Sequence, residues 1–211
     1  MSAAPTPALP DERLAAGAAR LAARHAGRFS AETVTGLLTD SYQRLAETAS
    51  VTRHLVVLAE RFTAQRLDAL IHVQDAPGVG LPRVLFVCSH NAGRSQLVAA
   101  LLQHQAGGRA VVSSAGTHPG PGIEQHIAQV LAEAGADAAD AFPKPLTDEV
   151  VQAADIVITM GCGDACPVVP GRRYLDWPVA DSYGVPIAAV RAIRDDIDRR
   201  ITDLLAGLPS T

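Results

Sequence analysis

Arg83-Val-Leu-Phe-Val87, then Cys88-Ser-His-Asn-Ala-Gly-Arg94, then Ser95, is the stretch on which the reading of this chain turns. The apolar run is short, rich in β-formers and bounded by polar residues, so it predicts a buried strand that Cys88 ends. Ser95 to Gln105 has the composition of a helix. Working outward, Ala110-Val-Val-Ser113 predicts a second strand and Ile123 to Ala134 a second helix. Asp155-Ile-Val-Ile-Thr-Met160 predicts a third strand, Arg173-Tyr-Leu175 a fourth, and Ile187 to Leu205 a final helix. Strands alternating with helices imply an α/β fold with right-handed crossovers and a parallel sheet covered on both faces. The ligand site of such a sheet lies beyond the carboxyl ends of its strands.

Upstream the pattern differs. Residues 1–10 predict a disordered lead-in and residues 11–73 an all-α three-helix bundle. Its helices are marked by Leu14, Ala18, Leu21 and His25, by Val34, Leu37, Leu38, Tyr42 and Leu45, and by Leu55, Leu58, Phe62 and Leu70. Asp11 and Ser50 are candidate caps for the first and third. No cluster of nucleophiles or ligands falls in this bundle, which suggests a structural or partner-binding role, a homodimer being one option. Residues 74–82 carry the glycine and proline of a linker, and residues 83–211 form the α/β domain.

Composition narrows the function. A formal charge of -4 over 211 residues argues against a nucleic-acid partner, which would need a basic face. No apolar run has the length of a bilayer span, and the alanine-rich start has no signal-peptide core, so a cytoplasmic location is expected. Three cysteines are an odd number, so they cannot all pair internally. In a reducing compartment cysteines serve metal binding, catalysis or packing more than permanent cross-links.

The loop 88–94 has the parts of an oxyanion site. Successive N–H groups in a strand-to-helix turn form a nest for an anion, aided by the positive end of the helix. The backbone of Ser89, His90, Asn91, Ala92, Gly93 and Arg94, with Ser95, would bind substrate, and the planar fork of Arg94 can grip two oxygens. The same field favours the thiolate of Cys88 as nucleophile. Ser95 can donate to its sulfur, Asn91 can hold the loop's backbone, and Gly93 can take unusual angles. A bare match of Cys and Arg six apart would also fit a buried cysteine with an unrelated arginine. Placement between a strand and a helix opened by serine is the context that argues for the motif.

Val84 to Gln96, Ser114-Ala-Gly116 and Val157-Ile-Thr-Met-Gly-Cys162-Gly-Asp-Ala-Cys166-Pro167 resemble the low-molecular-weight tyrosine phosphatase superfamily. Within it they look like the thioredoxin-coupled arsenate reductases, especially actinobacterial members with an added helical domain. The resemblance covers residues 82–206 closely and the bundle loosely. It implies a four-stranded parallel sheet of the low-molecular-weight phosphatase type, arsenate as substrate and arsenite as product.

Cys162 and Cys166 separate reductase from phosphatase. They follow the third strand at its carboxyl end, the edge at which Cys88 emerges. A phosphatase has no use for them, whereas reducing arsenate takes two electrons that thiols can supply. The resemblance implies that Cys88, Cys162 and Cys166 act in that order by thiol–disulfide exchange, with reduced thioredoxin as electron donor and no bound cofactor. Mycothiol with mycoredoxin is the alternative donor, used by relatives that generally do without a resolving pair. Two small packing residues or half of a zinc site are the rival roles for this pair, but zinc usually asks for four ligands and no second close pair follows. On a regular helix, residues four apart sit about 5–6 Å apart at Cβ, whereas a disulfide wants about 3.8 Å. Closing the pair is therefore expected to distort the segment and loop it outward.

Protonating the departing oxygen needs a general acid. Asp181 matches the aspartate that precedes a proline in the family's acid loop, although Ser182 replaces that proline and is expected to loosen the loop. Asp176 is the alternative acid, and a turn or cap role is the alternative for Asp181. Ser114 is expected to brace the catalytic loop from the second strand. Some relatives bind potassium near this loop through carboxylates, where this chain has Ala99 and Lys144, so no metal is expected. Tyr183 near Asp181 favours the rival enzyme reading, an aryl or tyrosine phosphatase. A module that binds oxyanions or senses redox state without turnover is the non-enzymatic rival.

Overall fold

The structure, a computed structural model, describes residues 12–49, 53–75, 80–161 and 166–208. The expected lead-in, the candidate caps Asp11 and Ser50, and Cys162 lie outside these residues.

The chain begins with three helices, α1 (Glu12–Arg24), α2 (Ala31–Ala46) and α3 (Leu55–Asp75). Ser30 caps α2, its hydroxyl accepting from Thr33 N. The helix α3 runs through Gln74 and Asp75, so the linker expected from Gln74 begins at least two residues later. The α/β domain follows as β1 (Arg83–Cys88), α4 (Arg94–Ala106), β2 (Val111–Gly116), α5 (Gln125–Glu133), α6 (Asp148–Ala153), β3 (Ile156–Met160), β4 (Arg173–Asp176) and α7 (Ile187–Ala206). The short α6 is an addition to the sequence reading, and β2 extends three residues past Ser113.

The four strands are parallel in the order β2-β1-β3-β4. β1 lies inside, with Cys88 opposite Gly116 on one side and Met160 on the other. Alternation along β1 divides the core. Val84, Phe86 and Cys88 face a cluster that includes Leu97 and Leu101 of α4, Ile127 of α5 and Ile197 of α7. Leu85 and Val87 face the other side, with Val151 of α6, Val157 of β3 and Cys166.

The bundle packs on this second side, where α3 meets α6. The buried guanidinium of Arg66 binds Glu149 of α6 and, at 2.6 Å, Asp40 of α2. Arg61 reaches Asp140 at 3.1 Å. Phe142, from the segment between α5 and α6, lies in the bundle's own core with Leu14, Leu38, Leu55, Ala59 and Phe62. Among the described residues no helix is long and apolar enough to cross a membrane.

Candidate active site

In the loop between β1 and α4, four carbonyls turn toward the segment that leaves β2. The carbonyls of Cys88, Ser89, His90 and Ala92 accept from the N–H groups of Thr117, His118, Gly120 and Glu124, at 3.2, 2.8, 2.8 and 3.0 Å. The segment leaving β2 is therefore the frame on which the loop hangs. Gly93 precedes the first turn of α4, whose positive end adds to the anion field.

Cys88 is 2% exposed, and its sulfur lies 2.9 Å from Ser95 Oγ and 3.2 Å from Asn91 N, which donates to it. The side chain of Asn91 fixes the direction of the first bond. Its Nδ2 donates to Ser95 Oγ at 2.8 Å, which leaves the serine's own hydrogen for the sulfur. Asn91 holds a left-handed backbone, φ 48°, unusual for a residue with a Cβ. Its Oδ1 accepts from Lys144 N at 3.0 Å and from Gln96 Nε2 at 2.9 Å. Asn91, Ser95 and Gln96 are all buried.

Arg94 turns back over the loop, with Nη2 3.4 Å from Asp181 Oδ2. The structure thus brings Cys88, Arg94, Ser95 and Asp181 to one end of the sheet. Asp181 Oδ1 accepts from Tyr183 N at 3.2 Å, while α7 begins after Pro186, so Asp181 does not cap that helix. Asp176 Oδ1 accepts from Thr159 Oγ1 at 2.7 Å. Ser182, which stands where the family has proline, is 3% exposed, and its buried Oγ has no hydrogen-bond partner among the described residues. A Cβ added at Gly93 would lie 2.1 Å from Ser182 Oγ and 2.5 Å from Glu124 Oε1, so a larger residue there would force both side chains to move.

Ser114 does not brace the loop directly. Its hydroxyl receives Lys144 Nζ at 3.3 Å, and Lys144 in turn reaches Asn91 through its N–H. Lys144 lies deep, its ammonium 3.4 Å from Phe142 O and 4.6 Å over the Phe142 ring. Burial pushes its pKa down to about 8. Lys144, Gln96 and Glu124 are contributors that sequence reasoning did not single out for a role at the loop. Gln96 offered one signal, an amide directly beside the serine that faces the sulfur. Among the described residues no three of His, Cys, Asp and Glu gather closely enough to hold a metal ion.

Met160 ends β3 opposite Cys88, and Gly161 then touches the loop, its carbonyl 3.4 Å from Ser89 Oγ, which donates. Cys162 is the next residue in sequence. Cys166 is buried among Leu85, Val87 and Val157. It thus packs on the face of the sheet opposite to Cys88, although its segment leaves the same edge.

The sequence matches the family described as low molecular weight phosphotyrosine protein phosphatase over residues 83–211. It matches the protein-tyrosine-phosphatase-like N-terminal domain over residues 14–71. A solved thioredoxin-dependent arsenate reductase of Corynebacterium glutamicum is 45% identical, with a TM-score of 0.83, over 94% of this chain and 97% of that one. A putative arsenate reductase of Halobacterium salinarum is 34% identical over 124 residues, 56% of this chain and 87% of its own length. A protein-arginine-phosphatase of Geobacillus stearothermophilus is 32% identical over 142 residues, 60% of this chain and 95% of its own length.

Proposed function

We propose that this chain, which belongs to the low molecular weight phosphotyrosine protein phosphatase family, reduces arsenate to arsenite with its own thiols as the immediate source of electrons. Arsenate and phosphate are near-isosteric, so the loop suits either. The observation that carries the reading is that the residue touching Ser89, Gly161, is followed directly by a cysteine, with a third four residues on. The likeness to a thioredoxin-dependent arsenate reductase across both domains supports it.

The chemistry then follows in three exchanges. The Cys88 thiolate attacks arsenic, forming an S–As bond, while Asp181 gives a proton to the departing oxygen, which leaves as water. A Cys162 thiolate attacks the Cys88 sulfur; the S–As bond breaks, its electron pair stays on arsenic, and arsenite departs. Cys166 attacks Cys162, releasing Cys88 as thiolate and leaving a Cys162–Cys166 disulfide. The dithiol of thioredoxin reduces that bridge and is itself oxidised. The resolving pair supports a dithiol donor over mycothiol with mycoredoxin, and the reducing cytosol as its compartment. Because Cys166 starts buried on the far face, the third exchange includes its release from the Val87 cluster.

The test is arsenite formation with thioredoxin, thioredoxin reductase and NADPH, compared with mycothiol and mycoredoxin. Wild-type protein should turn over with thioredoxin, and Cys162→Ser and Cys166→Ser should not. Full turnover by either variant refutes the relay. A second reading, hydrolysis of aryl phosphates, draws on Tyr183, 76% exposed beside Asp181 and suited to stack on an aromatic substrate. Hydrolysis of p-nitrophenyl phosphate that survives in both cysteine variants, with no arsenate turnover by wild type, would establish that reading instead.

A further inference from the structure

Among the described residues the bundle supplies no group to the site, yet a short chain of contacts ties its core to the nucleophile. Phe142 is 4% exposed and fills a place among Leu14, Leu38, Leu55 and Phe62, residues of the bundle and not of its own domain. Its carbonyl accepts from Gln96 Nε2 at 2.7 Å, and the same nitrogen donates to Asn91 O at 3.1 Å and Asn91 Oδ1 at 2.9 Å. Two residues on, Lys144 N donates to the same Oδ1 at 3.0 Å. Asn91 is the loop residue in the left-handed region, and a residue with a Cβ stays there only when its surroundings over-determine it. Its Nδ2 in turn sets the serine that faces the Cys88 sulfur.

We propose that Phe142 is a positioning residue through which the N-terminal bundle forms part of the scaffold of the catalytic loop. The bundle core clamps the ring, and the clamped backbone, with Gln96 and Lys144, holds Asn91. Asn91 then sets the anion cradle and the Ser95–Cys88 contact. Helical residues far from the chemistry thereby govern oxyanion affinity. The inference concerns the shape of the loop and is independent of which oxyanion turns over or what reduces it.

The probe is inorganic phosphate, whose binding to the full-length protein needs neither reductase nor phosphatase activity. Affinity is measured by calorimetry at a temperature where circular dichroism shows each variant folded. Phe142→Ala should weaken phosphate binding about tenfold or more, as loss of pre-set geometry does, and Phe142→Leu should recover most of it. In turnover the loss should appear in KM as well as kcat. Leu21→Ala, in the separate bundle cluster with Val34 and Leu67, removes stability without touching Phe142 and should bind phosphate as wild type does. Gln96→Met cuts the link while leaving the bundle core whole, and should reproduce the loss even if Phe142→Ala does not fold. Wild-type affinity in Gln96→Met overturns the proposal. So does an equal loss in Leu21→Ala.

Discussion

Arg94 and Asp181 form an ion pair at the mouth of the catalytic loop, Nη2 to Oδ2 3.4 Å, with the guanidinium nearly buried and the carboxylate 60% exposed. A pair open to water on one side adds little to stability, so its value lies in placement. An oxyanion in the loop claims the arginine's fork, and the carboxylate is then the acid standing beside the leaving oxygen. Asp181→Asn is expected to lower kcat for arsenate about 100-fold, at the low end of what a general acid contributes. Asp176→Asn, whose carboxylate instead takes the Thr159 hydroxyl, should leave kcat near wild type. Steady-state kinetics on both variants check this, and the reverse ranking would move the acid role to Asp176.

Gly161 has φ 69°, and a Cβ there would lie 2.9 Å from Arg94 Nη1. Gly161→Ala therefore both strains the backbone and pushes on the arginine. Its kcat/KM for arsenate should fall about tenfold or more, since small displacements of a clamp are costly. Unchanged kinetics would mean that Arg94 has room to move aside.

Lys144 gives a pH signature. Its folded-state pKa, about 8, lies below the ordinary lysine value of 10.5, so the unfolded chain binds the extra proton between these limits. Stability contributed by this group therefore rises with pH across that window and is flat below it. Measured by urea unfolding, wild type minus Lys144→Met should grow by about 2 kcal/mol from pH 8 to pH 10. A constant difference would show that the ammonium is better compensated than its surroundings suggest.

Oxidation should alter the segment after β3. Cys166 is packed with Leu85 and Val87, and it must leave that packing for a bridge to Cys162, in which the two Cβ atoms would stand about 3.8 Å apart. Hydrogen exchange across residues 160–170 should be faster in the oxidised protein than in the reduced one. Equal protection in the two states would contradict outward looping.

The strands and the loop were legible because both are written in local pattern, whereas the order β2-β1-β3-β4 came only from the structure. A short β-branched run, a cysteine, a glycine and an arginine at close spacing need no distant partner to be understood. Asp181 was singled out through its match to the family's acid loop, and the structure sets it beside Arg94. The short helix Asp148–Ala153 was not, since six residues are too few for a helical period to register. Phe142 and Lys144 escaped for a different reason: they lie in an irregular segment, and their meaning depends on a bundle far away in sequence. Gln96 is buried and binds Asn91, a pairing that its place in the helix pattern does not specify. The burial of Cys166 on the face opposite Cys88 could not be read from strand order, which specifies an edge but not a face.

The anion cradle hangs from the segment leaving β2, whereas Asp181 follows β4 and the two further cysteines follow β3. A designer wishing to convert this protein from electron transfer to hydrolysis, or to suit it to another donor, can accordingly rewrite residues 162–167 and 176–184 as cassettes. The close approach around Gly93 constrains such grafts: a side chain at position 93 would run into Ser182 and Glu124, so the glycine is kept while these loops are changed.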